Sequence, residues 1–128
     1  MKLAPKAESL SQAMEALTAF LDEAGCSPRV RMALETVVEE VFMNIASYSG
    51  ASEAAFTLQN ADGEAVLRFE DNGVPFDPLA MPAPDTTLPA EQREIGGLGI
   101  LMTRRMTDRQ TYARADGRNV LTLYKRLA

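Results

Sequence analysis

Two polar residues in one predicted helix have the types and spacing that phosphate chemistry requires. Glu40 and Asn44 lie four residues apart, so on a helix their side chains project from one face on successive turns. The carboxylate can accept a proton, and the amide oxygen is a hard ligand of the kind that Mg²⁺ prefers. Taken alone the pair is weak evidence, because with Glu35 and Glu39 nearby it also fits an acidic, solvated helix surface.

A second cluster ends an apolar segment, in the run Phe69-Glu-Asp71-Asn-Gly73-Val-Pro-Phe76-Asp. A carboxylate at a strand end, here Asp71, can accept a hydrogen bond from an exocyclic amine such as adenine N6. Gly73 has no Cβ, which allows a flat base to approach the backbone. The same residues also fit an ordinary turn at the end of a strand, although the spacing to Phe76 makes the run more distinctive.

A third cluster is rich in glycine and precedes a predicted helix, in the run Ile95-Gly96-Gly97-Leu98-Gly99-Ile100. Glycines leave backbone N–H groups free, and a helix N-terminus adds positive potential, so together they suit a phosphate chain. The run lacks the Gly-Lys-Ser/Thr ending of a Walker A motif, and no parallel βαβ unit surrounds it as in a Rossmann fingerprint. A single glycine loop is weak evidence.

Two amphipathic helices are predicted ahead of the first strands. Apolar residues recur at three- and four-residue steps over 8–24, and Gly25 supplies the stop. Ser27 and Pro28 open a second helix as N-cap and first helical residue, and this helix contains Glu40 and Asn44 before it ends at Ser49-Gly50.

The remaining pattern predicts strands, one long loop and a short helix. Runs at 53–58 and 64–69 form a hairpin, and runs at 109–114 and 119–125 form another around Ala115-Asp116-Gly117. Between them, a proline-rich segment over 77–89 predicts a long loop that can cover the layer of helices, and a third helix follows the glycine run. The whole chain, 1–128, is therefore predicted to be one α/β (α+β) domain: a two-layer sandwich of mostly antiparallel sheet with three main helices on one face.

Composition excludes several classes of function. The chain has 128 residues, no histidine, one cysteine and a formal net charge of −5. These features argue against Ser-His-Asp catalysis, an intrachain disulfide, a broad nucleic-acid footprint and anionic membranes. Without an apolar span or a signal segment, we expect a cytoplasmic protein. Basic residues crowd toward the C-terminus, where they fit either solvated faces or a patch for phosphate or an acidic partner.

Taken in order, the three clusters resemble the nucleotide-binding motifs of the Bergerat-fold (GHKL) ATPases. The closest likeness is to the anti-sigma-factor serine/threonine kinases, and it extends over essentially the whole chain. The matching segments are Glu40-Val-Phe-Met-Asn44, Asp71-Asn-Gly73-Val-Pro-Phe76-Asp-Pro, Gly96-Gly-Leu-Gly99-Ile and Asp116-Gly-Arg-Asn-Val-Leu-Thr122.

The resemblance implies a set of roles. Glu40 would act as general base, Asn44 would coordinate Mg²⁺, and Asp71 would recognise the adenine of ATP. Residues 77–95 correspond to a lid over ATP. The other implied nucleotide-binding residues are Gly73 and Phe76 in the base pocket, Gly96, Gly97, Leu98 and Gly99 at the phosphates, Arg93 at the γ-phosphate, and Thr122 at the adenine through water.

The resemblance also implies an activity and partners. The chain would phosphorylate a small STAS-domain anti-anti-sigma protein and act as an anti-sigma regulatory factor, with a sigma factor as a second partner. A nucleotide-gated binding switch without significant kinase activity is the alternative, although the retained Glu40 favours the kinase. The ATPase half of a histidine kinase is less expected, since no phosphoacceptor helix precedes the domain.

The chain departs from the family pattern at two places. Tyr48 stands where some members have histidine. The first strand, which often contributes to dimerisation in the family, is reduced to 2–4, so the sequence does not decide whether the chain forms a homodimer.

Overall fold

The computed structural model describes residues 1–78 and 103–128 as two helices packed on one sheet. The strands are β1 (Lys2–Leu3), β2 (Ala54–Ala61), β3 (Glu64–Asp71), β4 (Arg109–Ala115) and β5 (Arg118–Arg126). The helices are α1 (Leu10–Ala24), which follows a 3₁₀ turn at Ala7–Ser9, and α2 (Pro28–Tyr48). Residues 103–106 are also helical.

The five strands form one sheet in the order β1-β2-β3-β5-β4, and every neighbouring pair is antiparallel. β3 and β5 are the central strands. Their register places Phe69 opposite Leu121 and Asp71 opposite Asn119. The C-terminal end of β3 therefore meets the N-terminal end of β5, which brings two polar residues side by side.

The limits of the helices follow from their end residues. Ser27 caps α2, since its Oγ accepts a hydrogen bond from the Val30 N–H at 3.2 Å, and Pro28 occupies the first turn. Gly25 ends α1 with a φ of 78°, a region that glycine enters without a steric penalty. The last residue of α2 is Tyr48, so Asn44 lies one turn before its end.

Both hairpins turn on an Asp-Gly pair. Asp62 and Gly63 have φ of 53° and 86°, and Asp116 and Gly117 have φ of 53° and 75°. Two successive residues of positive φ define the tight turn whose twist matches antiparallel strands. These turns fix the registers of both hairpins, and so they determine which strand positions face the helices.

The core lies between the helices and one face of the sheet. Burial alternates along β3 and β5, as expected where one sheet face is covered. Phe56 and Phe69 stack with ring centroids 4.9 Å apart. The largest fully buried side chains are Leu17, Leu21, Leu34, Val37, Val38, Phe42, Leu67, Phe69 and Leu123. Burial of each contributes about 1.5–3 kcal/mol to folding.

The structure confirms the predicted α+β architecture with its antiparallel sheet. The predicted lid segment over 79–95 and the glycine run at 96–99 lie outside the described residues, as do residues 100–102 of the predicted third helix. Within 1–78 and 103–128, neither long helix combines the length and hydrophobicity that a bilayer crossing requires.

Candidate functional site

A cavity of about 250 Å³ opens between α2, the turn after β3 and the inner face of β5. Its volume is near the lower end of the roughly 300–1,000 Å³ range of small-molecule sites. Its walls are mainly apolar. The described lining residues are Val41, Asn44, Ile45, Tyr48, Ser49, Phe69, Asp71, Val74, Phe76, Pro78, Thr103, Arg104, Tyr112, Asn119 and Leu121.

Three of the sequence-predicted site residues lie in this lining: Phe76, at its rim, and the polar pair Asn44 and Asp71. The two polar residues are 27 positions apart in the sequence, yet the packing of α2 on the sheet brings them to one cavity. Asp71 and Arg104 are the only charged side chains among the described lining residues. The cavity thus combines the predicted carboxylate of Asp71 and the predicted amide of Asn44 with apolar walls, and in such sites a few polar contacts fix the orientation of a ligand.

Asp71 is held at the last position of β3, where its side chain points inward and is 5% exposed. Its Oδ1 accepts hydrogen bonds from the Gly73 N–H at 2.9 Å and from Asn119 Nδ2 at 3.1 Å. Within the described part of the chain, both hydrogen bonds to this carboxylate end on the same oxygen. Oδ2 therefore remains available to accept a hydrogen bond from a ligand.

Packing of the turn after β3 requires a glycine at position 73. It is buried and does not line the cavity. A Cβ at this position would collide with the backbone carbonyl of Ser49, at the end of α2, and would lie 2.9 Å from Asp71 Oδ1. The missing side chain lets the turn after β3 sit against the helix end. The close approach of a flat base at Gly73 stays a prediction.

The same turn is fixed by hydrogen bonds from two other segments. Asn72 Oδ1 accepts from the N–H groups of Ser52 and Glu53 at 2.9 and 3.0 Å. From the β4–β5 hairpin, Arg114 Nη1 donates to the Gly73 carbonyl at 2.8 Å. Asp71 is thereby presented by a rigid support, which a recognition residue needs.

Asn119 is a site residue that the sequence interpretation missed. It is 6% exposed at the start of β5 and lines the cavity beside Asp71. A detectable signal exists in the sequence, because Asn119 falls in phase with the buried Leu121 and Leu123. A polar residue at an inward strand position needs hydrogen-bond partners in the interior. Such a residue among buried leucines is therefore a signal for a functional site.

Thr122 lies on the other face of the sheet. It alternates with Leu121 and Leu123, pairs across the strands with Arg68 and Thr111, and is absent from the lining. Successive strand residues point to opposite faces, so a threonine one position from Leu121 faces away from the cavity. The structure therefore does not support the expected adenine contact by Thr122.

Glu40 lies one helical turn before Asn44 on α2, with a half-buried side chain. It is not among the described lining residues. The i, i+4 relationship places the two on one face of the helix, so Glu40 stands beside the cavity wall in the direction of the helix N-terminus. It is positioned next to the cavity and not within it.

Phe76 lies at the cavity rim. It is 43% exposed, and exposed Tyr48 and Val74 line the same opening. Three large, mainly nonpolar side chains thus lie exposed around the opening of one cavity, an arrangement that is typical of a ligand-binding groove. Tyr48, for which no polar role could be carried over, thus belongs to this rim.

Five other predicted residues cannot be placed. Arg93, Gly96, Gly97, Leu98 and Gly99 lie outside the described residues. From the chain that follows them, Thr103 and Arg104 line the cavity, and neither was predicted. Gln110 supports this segment, since its Nε2 donates to the Arg104 carbonyl at 3.1 Å.

A divalent cation would have to share its ligands with a bound molecule. The described residues contain no group of three or more Asp, Glu, His or Cys side chains that could enclose a metal. Asn44 offers one hard amide oxygen. This donor set fits Mg²⁺, which is usually held by one or two protein oxygens together with substrate phosphates and water.

Comparison with known proteins identifies the family of the chain. A family model described as histidine kinase-like ATPase domain matches residues 3–125. Serine/threonine-protein kinase BtrW of Bordetella bronchiseptica is 32% identical over 101 residues, which make up 76% of this chain and 71% of that protein. The histidine kinase AdeS of Acinetobacter baumannii shares the fold with a TM-score of 0.56 at 15% identity, over 99% of this chain and 68% of that one.

The chain therefore belongs to the histidine kinase-like ATPase domain family. It is an ATP-binding domain of the kinase type, with the GHKL fold. The likeness to AdeS shows the fold alone.

Proposed function

We propose that this chain is an ATP-dependent protein serine/threonine kinase, and that the cavity beside Asp71 and Asn44 is its nucleotide site. One observation carries the proposal. Asp71, which is suited to hydrogen-bond the adenine ring, and Asn44, which is suited to bind a metal ion, line the same cavity. The similarity to a protein named as a serine/threonine kinase supports the type of phosphotransfer.

The described residues fit a purine nucleotide. Val41, Ile45 and Leu121 supply apolar wall area for a flat ring, and Asp71 Oδ2 can accept from an exocyclic amine. At about 250 Å³ the cavity suits the base end of a nucleotide. The sugar and phosphates would then extend beyond the described lining.

Each of the polar residues has a separate task in this proposal. Asp71 accepts the amine hydrogen bond and fixes the base, while Asn44 supplies an amide oxygen to Mg²⁺. The metal, when bound, neutralises charge on the phosphates and orients them. Glu40 accepts the proton of the acceptor hydroxyl, since a carboxylate on the helix face next to Asn44 lies near the reacting end.

The protein acceptor in this proposal is a small STAS-domain anti-anti-sigma protein, with the chain acting as an anti-sigma regulatory factor. This part is supported by the ordered likeness of the sequence motifs to anti-sigma-factor kinases. Phosphoryl transfer needs an acceptor hydroxyl placed in line with the phosphate, and in this proposal the partner protein supplies that hydroxyl.

Radiolabelled ATP separates the kinase from a nucleotide-gated switch. The purified chain is incubated with Mg²⁺, γ-labelled ATP and a STAS-domain protein encoded near it, with a serine-to-alanine variant of that protein as control. Label on the wild-type acceptor alone supports the proposal. Nucleotide binding that alters affinity for the acceptor, with no transfer of label, would establish the switch instead.

A further inference from the structure

The side chain of Asn119 uses every hydrogen-bonding position it has. Nδ2 donates to Asp71 Oδ1 at 3.1 Å and to the Val74 carbonyl at 2.8 Å. Oδ1 accepts from the Phe76 N–H at 3.1 Å and from the Tyr112 hydroxyl. A primary amide has two donor hydrogens and two acceptor lone pairs, so no capacity remains for a ligand.

The orientation of this amide is fixed by two backbone groups. The Phe76 N–H can only donate, and the Val74 carbonyl can only accept. Nδ2 must therefore face Val74 and Oδ1 must face Phe76, because the reverse arrangement would oppose donor to donor and acceptor to acceptor. The direction of the remaining two hydrogen bonds follows from this assignment.

Asn119 thereby fixes the orientation of Asp71, whose carboxylate is an acceptor in any case, and the polarity of the Tyr112 hydroxyl. Asp71 is held through Oδ1, so its Oδ2 can accept a hydrogen bond from a ligand. The Tyr112 hydroxyl donates its hydrogen to Asn119 Oδ1. Tyr112 also lines the cavity, and its hydroxyl keeps only acceptor lone pairs for a ligand. Both groups next to Asn119 can therefore accept from a ligand and cannot donate to it.

We infer that Asn119 is a positioning residue that makes this end of the pocket acceptor-only and so selects a 6-amino purine over a 6-oxo purine. An amine donates to these groups, whereas a carbonyl oxygen would face acceptors with no proton between them. A site built to pair with one polar group rejects the analogue that lacks it strongly, because buried groups are then left unpaired. The inference rests on the proposed placement of the base in this cavity.

The test compares the affinities of Mg-ATP and Mg-ITP by calorimetry in the full chain. Asn119→Ala frees the Tyr112 hydroxyl to donate and releases Asp71, so we expect the ATP-to-ITP affinity ratio to fall about tenfold, as for the loss of one to two hydrogen bonds. An unchanged ratio would overturn the inference, whether both affinities stay the same or both fall equally, because a merely structural role of Asn119 would affect both nucleotides alike.

Two further variants keep the result interpretable. Asn119→Ser retains one donor and one acceptor, and it should give a smaller fall in the ratio if Asn119→Ala does not fold. Thr111→Val, exposed on the outer face of β4, should leave the ratio unchanged. A Thr111→Val ratio that fell as far as that of Asn119→Ala would overturn the inference, because the effect would then be general to the sheet.

Asp71→Asn distinguishes failure of the inference from failure of the proposed site. This variant can place an amide donor where the carboxylate oxygen stood, so it should shift preference toward ITP. If Asp71→Asn leaves the ratio unchanged, the base does not lie at Asp71 and both ideas fail. If Asp71→Asn changes the ratio and the Asn119 variants do not, only the role of Asn119 is overturned.

Discussion

Val74 donates its backbone N–H to the carbonyl of Ser49 at 2.9 Å, which joins the turn after β3 to the residue that follows α2. The last carbonyls of a helix have no partner within the helix, so this bond satisfies one of them. It also links the two elements that hold Asp71 and Asn44. The relative position of these two residues therefore depends on how closely the turn approaches the helix end.

Gly73→Ala should separate the turn from α2. The added Cβ collides with the Ser49 carbonyl, a backbone atom that cannot move alone. We expect a loss of about 1–3 kcal/mol in the free energy of unfolding, as for an overpacked site, and a large loss of ATP affinity. Chemical denaturation and calorimetry would measure the two effects.

Gly63→Ala is the matched control for that change. Gly63 has a φ of 86°, and a Cβ added there would contact no neighbouring atom, so alanine at this position is strained without a collision. The variant should lose about 1 kcal/mol of stability, and it should bind ATP as the wild type does. Equal ATP affinities in the Gly73 and Gly63 variants would contradict a special role of the Gly73 turn.

Glu40→Gln should separate binding from transfer. The amide keeps the size of the side chain but cannot accept the hydroxyl proton as a base, so we expect a 10²–10⁴-fold lower rate of phosphoryl transfer with nearly unchanged ATP affinity. Single-turnover transfer of label to the acceptor measures the rate. Glu39→Gln, on the neighbouring exposed position, should behave as the wild type. A normal rate in the Glu40 variant would remove this residue from the mechanism.

Asn44→Ala should remove the dependence of ATP binding on Mg²⁺. If Asn44 provides the protein's oxygen to the metal, its loss weakens Mg-ATP binding about tenfold or more, in the range seen when groups that support a metal are removed. Affinity for ATP in the presence of a chelator should change little. Ser47→Ala, exposed on the same helix, serves as the control. A variant that retains the full Mg²⁺ effect would place the metal elsewhere.

Asn119 and Thr122 lie on the same strand, but we expect substitutions at these two positions to change ATP affinity to different extents. Thr122 faces away from the cavity, so Thr122→Val should leave ATP affinity within about twofold, whereas Asn119→Ala disturbs the support of Asp71 and should weaken it at least fivefold. Parallel titrations of the two variants would decide between them. A larger loss from Thr122→Val would mean that the register of β5 differs from the one described.

Local signals were sufficient to predict most of the fold. Ser27 and Pro28 fixed the start of α2, and the Asp62-Gly63 and Asp116-Gly117 turns fixed both hairpins, because each signal acts within a few residues. The strand ends were less certain: β2 and β3 each extend beyond their predicted ends, to Ala61 and Asp71. Pairing with a neighbouring strand stabilises such terminal residues, and local sequence does not reveal it.

The site was predicted less completely, because its polar network joins distant segments. Asp71 was identifiable from its place at a strand end, but its partner Asn119 lies 48 positions later. Thr122 was selected by likeness to a family motif, although the alternation of Leu121 and Leu123 places it on the outer face. A shift of one position in a strand reverses the face, so a motif assignment on a strand needs the burial pattern beside it.

The crystal structure of the chain with Mg²⁺ and a non-hydrolysable ATP analogue tests the central claim most directly. The account predicts the adenine amine within hydrogen-bonding distance of Asp71 Oδ2 and the metal bound to the Asn44 side-chain oxygen. A nucleotide found with its base or its metal away from these two residues would contradict it.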